Sequence, residues 1–221
     1  MLGLLNRVEV ELFESLFFDP TVERSTLLDM LEMIYDLIEP ELHSIADGYK
    51  GFLNGLIKKK EKKQARIILS IKSLASLQSK VIDRKKNLSR IKDLVRATIL
   101  LGDDEAVAKL YKDIVRKKKE VIRYAQKERG GDSLFGYYGS YHIIFYYRGL
   151  HVELQLMTRK LWSYKAVAHE LYEKYRDQQS PNMDKFDYHT CKMLFARGNQ
   201  PKHHYKRKEV RRNYKQLGRY F

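Results

Sequence analysis

Apolar residues recur at three-to-four spacing through the first quarter of the chain, over residues 4–18 and 25–57. This spacing places them on one side of a helix, so both segments are predicted to be amphipathic helices. Pro20 and Pro40 are expected to separate helices, because proline lacks the amide hydrogen that a helix interior needs. Ser25 is a candidate N-cap.

The pattern changes after residue 64, where β-branched residues and partial alternation predict strands. Residues 65–73 form one predicted strand, and residues 95–101 are apolar enough for a buried central strand. A helix and a loop are expected between them. Residues 102–119 begin with acidic residues and end with basic ones, which matches the dipole of a helix.

The following segments predict further strands and another helix. Residues 121–128 are a candidate edge strand, and residues 130–140 are expected to form a loop. Residues 140–158 contain two β-rich runs joined around residues 148–149, which is typical of a β-hairpin. A helix is expected to follow, with Thr158 as its N-cap.

This order of elements predicts an α+β domain, with a mixed sheet of about five strands covered by helices. Residues 1–66 are expected to form helices that pack on a core at 67–178, and residues 179–221 are expected to form a basic extension. The chain is therefore interpreted as a single core with a helical N-terminal flank and a basic C-terminal flank.

The composition adds a strong positive charge to this picture. Hydrophobic residues make up 43% of the chain, which is enough for a core. Lys and Arg outnumber Asp and Glu by 43 to 28, so the formal net charge is +15. Such a charge favours polyanionic partners, namely nucleic acids, nucleotides or an anionic membrane.

Much of the positive charge is concentrated in two runs. Residues 58–63 are KKKEKK, and between Arg197 and Phe221 nine residues are Lys or Arg and one is Glu. Tyrosines are interleaved with the second run, as expected for contact with a nucleic-acid backbone and stacking on bases. A solvated charged surface is the alternative interpretation of both. The candidate RNA-binding residues are Lys58, Lys59, Lys60, Lys62, Lys63, Lys206, Arg207, Lys208, Arg211 and Arg212.

Two classes of protein are disfavoured by composition. Cys191 is the only cysteine, so neither a disulfide framework nor a multi-cysteine zinc site can form within the chain. No apolar run approaches the ~20 residues that span a bilayer. A reducing, cytoplasmic location without a membrane partner is therefore expected, with Cys191 in packing rather than as a nucleophile.

Candidate chemistry lies near the ends of the predicted strands. Glu153 and Gln155 are two residues apart on one strand and should point to the same face. Asp93 lies just before another strand, and two carboxylates near strand ends suit a magnesium site shared with a triphosphate. The chain has no GxxxxGK[ST] motif, so other cations would bind phosphates. The candidates are Lys72, Lys80, Arg84, Lys85 and Lys86, with Tyr137 and Tyr138 as candidates for base stacking.

At these residues the chain resembles the RelA/SpoT synthetase family, in particular its single-domain small alarmone synthetases. The resemblance covers about residues 70–176. It lies in KSLASLQSK, similar to the phosphate-binding run; IKDLVRATI, similar to the aspartate strand; GYYGSYH, similar to the Gly-Tyr-x-Ser-x-His loop; and VELQ, similar to the Glu-x-Gln motif. The next helix keeps a His and a Lys-Tyr pair at similar spacing, at His169, Lys174 and Tyr175.

The resemblance implies a nucleotidyltransferase-like synthetase fold and a role for each matched residue. Glu153 would be the catalytic glutamate with Gln155 as its companion, and Asp93 would bind Mg²⁺, with Glu153 sharing the ion. The implied ATP-binding residues are Lys72, Ser76, Lys80 and Arg96. The implied acceptor-binding residues are Tyr138 or Tyr137, His142, His169 and Lys174, and counting back from His142 favours Tyr138.

The chain departs from the family at several of these places. Ser70 stands where many members have an arginine that stacks on adenine, and Met157 replaces the arginine usual after Glu-x-Gln. In the aspartate strand, Arg96 and Thr98 replace a small residue and an arginine. These departures bear on ordinary guanosine-nucleotide chemistry more than on the use of ATP.

The implied activity is an ATP-dependent pyrophosphotransferase that moves the β,γ-pyrophosphate of ATP to a ribose 3′-hydroxyl. Because the sequence contains no hydrolase module, it resembles the toxic branch of the family, whose members are paired with antitoxins. The favoured acceptor is the 3′-CCA end of tRNA. The alternatives are a small alarmone synthetase that makes (p)ppGpp or (p)ppApp from GDP, GTP or ADP, and a non-catalytic RNA-binding protein with the same fold. An antitoxin is the expected protein partner, and a homo-oligomer is compatible with the sequence.

Overall fold

The structure, a computed structural model, describes residues 13–16, 19–57, 65–118, 121–125, 130–132 and 137–176, with positions 187, 189, 190, 193 and 194. Its helices are α1 (Arg24–Leu56), α2 (Leu74–Gln78), α3 (Asp104–Lys117) and α4 (Arg159–Arg176). Its strands are β1 (Arg66–Ile71), β2 (Val95–Leu101), β3 (Ile122–Ala125), β4 (Gly130–Asp132), β5 (Tyr137–Tyr147) and β6 (Leu150–Thr158).

The strands form one mixed sheet in the order β1-β2-β6-β5-β3, and β4 also pairs with β5. The central pair, β2 and β6, is parallel, and the other pairs are antiparallel. The α+β class with a mixed sheet is therefore confirmed. The domain boundaries at residues 66 and 178 stay a prediction.

Side chains alternate between two different faces of this sheet. One face, here called the apolar face, packs against α1 and α3 and carries fully buried residues of the two central strands. They include Val95, Ala97, Ile99, Val152, Leu154 and Leu156. The opposite face, here called the polar face, carries the alternate residues Ser70, Arg96, Thr98, Glu153, Gln155 and His142.

Helix α1 runs for 33 residues and contains Pro40. The prediction that Pro40 separates two helices is therefore wrong. The apolar stripe continues at helical spacing on both sides of the proline, with Tyr35, Ile38, Leu42 and Ile45 buried. Packing of this stripe on the core outweighs the cost of about 3 kcal/mol for an internal proline.

The N-terminal predictions need one further correction. Helix α1 begins at Arg24 with Glu23 as its N-cap residue, so Ser25 lies inside the helix rather than at its cap. The Ser25 hydroxyl donates to Glu23 Oε2 at 3.3 Å. Of the predicted helix at residues 4–18, only residues 13–16 are among the described residues, and they are helical, with Phe13 buried in the core.

The predicted hairpin is confirmed as β5 and β6. Its turn places Arg148 and Gly149 at φ of 47° and 80°, a left-handed conformation that glycine adopts without strain and that a two-residue hairpin turn requires. The loop predicted at residues 130–140 is wrong in part, because β4 pairs with the beginning of β5 there. Two adjacent tyrosines, which favour strands, extend β5 into this glycine-containing segment.

Several other element predictions are confirmed within the described residues. Strand β2 has the predicted bounds, β3 lies at the sheet edge, and α3 begins with Asp104 and Glu105 and ends with Arg116 and Lys117. The Thr158 hydroxyl accepts a hydrogen bond from the Leu161 amide at 3.1 Å, which is the geometry of an N-cap. No helix in the described ranges is long and apolar enough to cross a membrane.

Candidate functional site

Asp93 lies just before β2 and is surrounded by three cations. Lys80 Nζ donates to both of its oxygens, at 2.8 and 2.7 Å, and Lys72 Nζ lies 2.9 Å from Oδ2. Arg96 Nη2 also donates to Oδ2, at 2.8 Å. Burial opposes ionisation of this carboxyl, but Lys72, Lys80 and Arg96 outweigh it and hold the pKa of Asp93 below its usual value.

Backbone contacts fix the two lysines at this end of the sheet. Lys72 directly follows β1, where its amide donates to Leu94 O at 2.8 Å and its carbonyl accepts from the Tyr35 hydroxyl at 3.0 Å. Lys80 lies in a π-helical turn at Ser79–Asp83, directly after α2. Burial lowers the pKa of Lys72 even though Asp93 opposes the shift, so this amine is poised beside the carboxylate with little water around it.

Arg96 connects Asp93 to the second carboxylate of the site. Its Nε donates to Glu153 Oε2 at 2.6 Å while its Nη2 contacts Asp93. The strand register explains this contact, because Arg96 and Glu153 are directly paired neighbours on the parallel strands β2 and β6. Burial disfavours the charge on Arg96, but Glu153 and Asp93 raise its pKa further above its usual value.

Glu153 is buried and has a hydrogen-bond donor on each side. Besides Arg96, it contacts His142 Nδ1 at 2.8 Å and Gln155 Nε2 at 3.1 Å through Oε1. Burial alone would raise the pKa of Glu153, but the hydrogen bond from His142 and the charge of Arg96 hold it far below its usual range. The side chain is therefore a carboxylate at neutral pH.

A chain of hydrogen bonds continues from Glu153 in both directions. His142 Nε2 lies 2.9 Å from the hydroxyl of Ser140, a residue with no exposed surface. On the other side, Lys165 Nζ of α4 donates to Gln155 Oε1 at 2.9 Å, which turns the Gln155 amide nitrogen toward Glu153. Burial and Arg96 lower the pKa of Lys165 to about 8, with Glu153 opposing them.

A cavity of about 360 Å³ opens on the polar face beside these hydrogen-bonded residues. It shares Arg96 and Gln155 with the charged cluster and continues along β1 and β2 past Ser70 and Thr98. Helix α4 closes one side with Trp162 and Lys165. A pocket of this size next to convergent charged groups with shifted pKa values is the usual setting of a ligand-binding or catalytic site.

Comparisons with known proteins support the fold. No protein-family model matches the chain, and no curated protein matches it either. Solved structures do match. The small alarmone synthetase 1 of Bacillus subtilis has a TM-score of 0.60 at 14% identity, over 86% of this chain and 98% of that one. A GTP pyrophosphokinase family protein of Streptococcus pneumoniae has a TM-score of 0.55 at 17% identity, over 85% and 92%.

The fold is that of the small alarmone synthetases. The synthetase fold also matches the type VI effector Tas1, whose structure was solved in complex with its immunity protein. That match has a TM-score of 0.51 at 19% identity and covers 72% of this chain and 95% of the other.

Within the synthetase fold, most of the predicted site residues lie together. Asp93, Arg96, Glu153, Lys72 and Lys80 form one connected cluster, and His142 and Gln155 extend it through hydrogen bonds. Ser76 is different: it is exposed in the first turn of α2, and its amide donates to Ser73 Oγ at 3.3 Å. Met157 is fully buried.

Other predicted residues lie outside the part of the chain whose side chains are described. The side chains of Tyr137 and Tyr138 in β5 and of His169 and Lys174 in α4 belong to this group. So do Cys191 and the basic runs at 58–63 and 197–221. Their roles stay predictions.

Two residues of the site, Trp162 and Lys165, have no role in the sequence predictions, and Ser140 appears there only within the quoted GYYGSYH motif. The available signal was helical spacing, because Trp162, Lys165 and Ala166 are three and four residues apart and so lie on one side of α4. Their spacing could have indicated a shared surface, but not that it faces Gln155.

Proposed function

We propose that this protein transfers the β,γ-pyrophosphate of ATP to a ribose 3′-hydroxyl. The observation that carries the proposal is the position of Arg96, which contacts both Asp93 and Glu153 while Lys72 and Lys80 surround Asp93. Cations placed around two carboxylates, on one sheet face of the synthetase fold, suit a reaction whose catalysis consists mainly of positioning and charge neutralisation.

The proposed reaction forms one bond to phosphorus and breaks one. The 3′-oxygen of the acceptor forms a bond to the β-phosphorus of ATP, and the bond from that phosphorus to the α,β-bridging oxygen breaks. AMP leaves with the electron pair of the broken bond, and the hydroxyl proton passes to a base. Lys72, Lys80 and Arg96 would balance the negative charge of the phosphates during this step.

Glu153 is placed to orient the attacking hydroxyl. In the arrangement described, its low pKa makes it a good hydrogen-bond acceptor but a weak base. Phosphates that draw Arg96 away would remove one of the charges that lower this pKa. The carboxylate would then become more basic when ATP is in place, which suits a general base.

Two carboxylates are a suitable protein contribution to a magnesium site. The described residues contain no group of three or more His, Cys, Asp or Glu that could hold a metal ion by itself. Mg²⁺ in phosphoryl-transfer enzymes commonly takes one or two carboxylates and completes its shell with phosphate oxygens and water. Asp93 and Glu153 would hold it, and when bound it would supply positive charge to the phosphate oxygens.

The favoured acceptor is the 3′-CCA end of tRNA. The charge of +15 and the two basic runs outside the matched core support it, because a free nucleotide needs no such surface. A tRNA-modifying enzyme of this kind would inhibit translation, and we propose that an antitoxin protein controls it in the cytoplasm. The effector–immunity complex of Tas1 is a precedent for a protein inhibitor on this fold.

A small nucleotide is the second candidate acceptor. The small alarmone synthetase 1 of Bacillus subtilis has been solved with its product pppGpp and with AMPCPP, at TM-scores of 0.59 and 0.55 and 13% identity to this chain. By analogy with that fold, the polar face of this protein would accept GDP, GTP or ADP and make (p)ppGpp or (p)ppApp.

The test uses γ-labelled ATP with bulk tRNA in one reaction and with GDP, GTP or ADP in others. Label that enters RNA and is lost when the 3′-terminal adenosine is removed supports the tRNA proposal, and label in nucleotides alone contradicts it. Deleting residues 202–221 should reduce labelling of tRNA and leave any labelling of nucleotides unchanged. RNA binding without any transfer of label, unaffected by Glu153→Ala, would instead indicate a non-catalytic RNA-binding protein.

A further inference from the structure

The cavity beside Arg96 differs in character from the charged cluster it adjoins. Its lining combines the aromatic ring of Trp162, the apolar side chain of Ile68, the hydroxyls of Ser70 and Thr98, and the amine of Lys165. Lys72 and Lys80 are not part of this lining. The polar face therefore offers a phosphate-binding end and, beyond Arg96, an end suited to a flat, partly polar group.

The order along the strands gives the distance between these ends. Ser70 and Ile68 of β1 lie two and four residues before Lys72, and Thr98 of β2 lies two residues after Arg96. Two residues of a strand span about 6.6 Å. A ligand whose phosphates contact Lys72, Lys80 and Arg96 would therefore place its nucleoside in the cavity.

We propose that Trp162 is the surface on which the base of the donor ATP stacks when its nucleoside lies in this cavity. The proposal rests on the proposed function, because it assumes that the donor triphosphate occupies the cations around Asp93. The volume of about 360 Å³ falls in the range of pockets that take small ligands, roughly 300–1,000 Å³.

The geometry of Trp162 fits this role. It lies in the first turn of α4, which Thr158 caps, so a fixed helix end holds its backbone. Its side chain is only partly buried, which leaves ring surface for a ligand. Lys165 Nζ lies over the ring at 5.9 Å from its centroid, and both side chains line the cavity. The hydroxyls of Ser70 and Thr98 on the opposite wall can donate to or accept from polar edges of a purine or ribose.

The chain provides its own reporter for this contact, because Trp162 is the only tryptophan. A base stacked on it should quench its fluorescence. The probes are AMPCPP, which cannot be cleaved between its α- and β-phosphates, and inorganic tripolyphosphate, which has the phosphates without the base. We expect saturable quenching by AMPCPP, and tripolyphosphate should compete with AMPCPP while leaving the emission of Trp162 almost unchanged.

Two substitutions complete the test, with affinities measured by calorimetry because the variants lack tryptophan. Trp162→Leu removes the aromatic surface and should weaken AMPCPP binding roughly 5- to 100-fold, the range expected for loss of one stacking contact. Trp162→Phe keeps a ring and should bind within about threefold of the wild type. In the transfer assay, Trp162→Leu should raise KM for ATP more than it lowers kcat.

The possible outcomes separate the inference from the proposed function. If the folded Trp162→Leu variant binds AMPCPP as tightly as the wild type does, or if tripolyphosphate quenches as strongly as AMPCPP, the base does not stack on Trp162 and the inference fails, while pyrophosphate transfer can stand. If the wild type binds neither probe, both fail. Weaker AMPCPP binding by Trp162→Leu, with unchanged tripolyphosphate binding, supports the inference.

Discussion

The two faces of the central strands carry different side chains, apolar on one and charged or polar on the other, although only the thickness of the sheet separates them. In β6, Val152 and Leu154 are fully buried on the apolar face. The alternate residues Glu153 and Gln155 lie on the polar face and belong to the hydrogen-bonded network of the site. In β2, Val95 and Ala97 flank Arg96 in the same way. Each strand therefore contributes to the core and to the site at alternate positions.

Because of this alternation, substitutions along β2 and β6 should affect stability at one position and activity at the next. Burial of the apolar face favours folding through removal of hydrocarbon surface from water. The polar face instead holds carboxylates and cations with little water around them, and their mutual attraction is offset by the cost of desolvating them. Its arrangement is explained better by readiness for a charged ligand than by stability.

The largest effect is expected on the polar face, from Glu153→Gln. This change keeps the size of the side chain but removes its charge and its basicity, so transfer of label from ATP should fall roughly 100- to 10,000-fold. The measurement is the initial rate with the acceptor that the labelling experiment identifies. Glu32→Gln, on the exposed side of α1, is the matched control and should leave the rate unchanged. A Glu153→Gln variant with more than a tenth of wild-type activity would refute the assigned role of Glu153.

The adjacent residue should give the opposite result. Leu154→Ala opens a cavity on the apolar face and should lower the free energy of unfolding by about 2–5 kcal/mol. Its activity per folded molecule should stay near that of the wild type, because the side chain points away from the site. Urea unfolding gives the first quantity, and the transfer rate corrected for the folded fraction gives the second. Loss of activity in the fully folded variant would show that the two faces are coupled.

The pH dependence of stability should reveal the contribution of Arg96, which contacts both Asp93 and Glu153. The pKa values of Asp93 and Glu153 are lowered by folding, so their contribution to stability is complete above their unfolded values near 4 and is lost as the pH falls below them. Arg96→Met removes one cause of both shifts. Its unfolding free energy should lie about 1–3 kcal/mol below that of the wild type at pH 7, and the gap should narrow as the pH falls through the lowered pKa values of the two carboxylates in the folded protein.

The matched control for this measurement is Arg116→Met. Arg116 forms an exposed ion pair with Asp113 at 3.3 Å, which solvent screens, so its curve of stability against pH should run parallel to that of the wild type. If the Arg96→Met curve is equally parallel, the guanidinium does not hold down the pKa values of the carboxylates.

Much of the site was predictable from the sequence because its main residues belong to short motifs on strands. Asp93, Arg96, Glu153 and Gln155 lie on or next to strands whose alternation can be seen locally, and the parallel register of β2 and β6 then brings them together. The central strand is predicted from its largely apolar composition, and the resemblance, rather than this composition, assigns Arg96 to the site.

What could not be predicted depends on long-range packing. Pro40 was expected to end a helix, but the helix continues because its apolar stripe packs on the core, a tertiary effect that overrides the local propensity. Lys165 was missed for a similar reason. Nothing near it in sequence shows that α4 folds back over the sheet and places its amine on Gln155.

The smallest predicted effect concerns this lysine and pH. With a pKa of about 8, Lys165 carries its charge below that pH and loses it above. The KM for ATP should therefore rise above pH 8, by roughly two- to tenfold, the effect of weakening one hydrogen bond to Gln155. Lys165→Arg keeps its charge over this range and should abolish the rise, whereas Lys165→Met should show the higher KM at every pH. The measurement is KM for ATP between pH 7 and pH 9.5 in all three proteins. Profiles of the same shape in the wild type and the arginine variant would mean that another group titrates, and the cavity beside Arg96 would then act independently of the charge on α4.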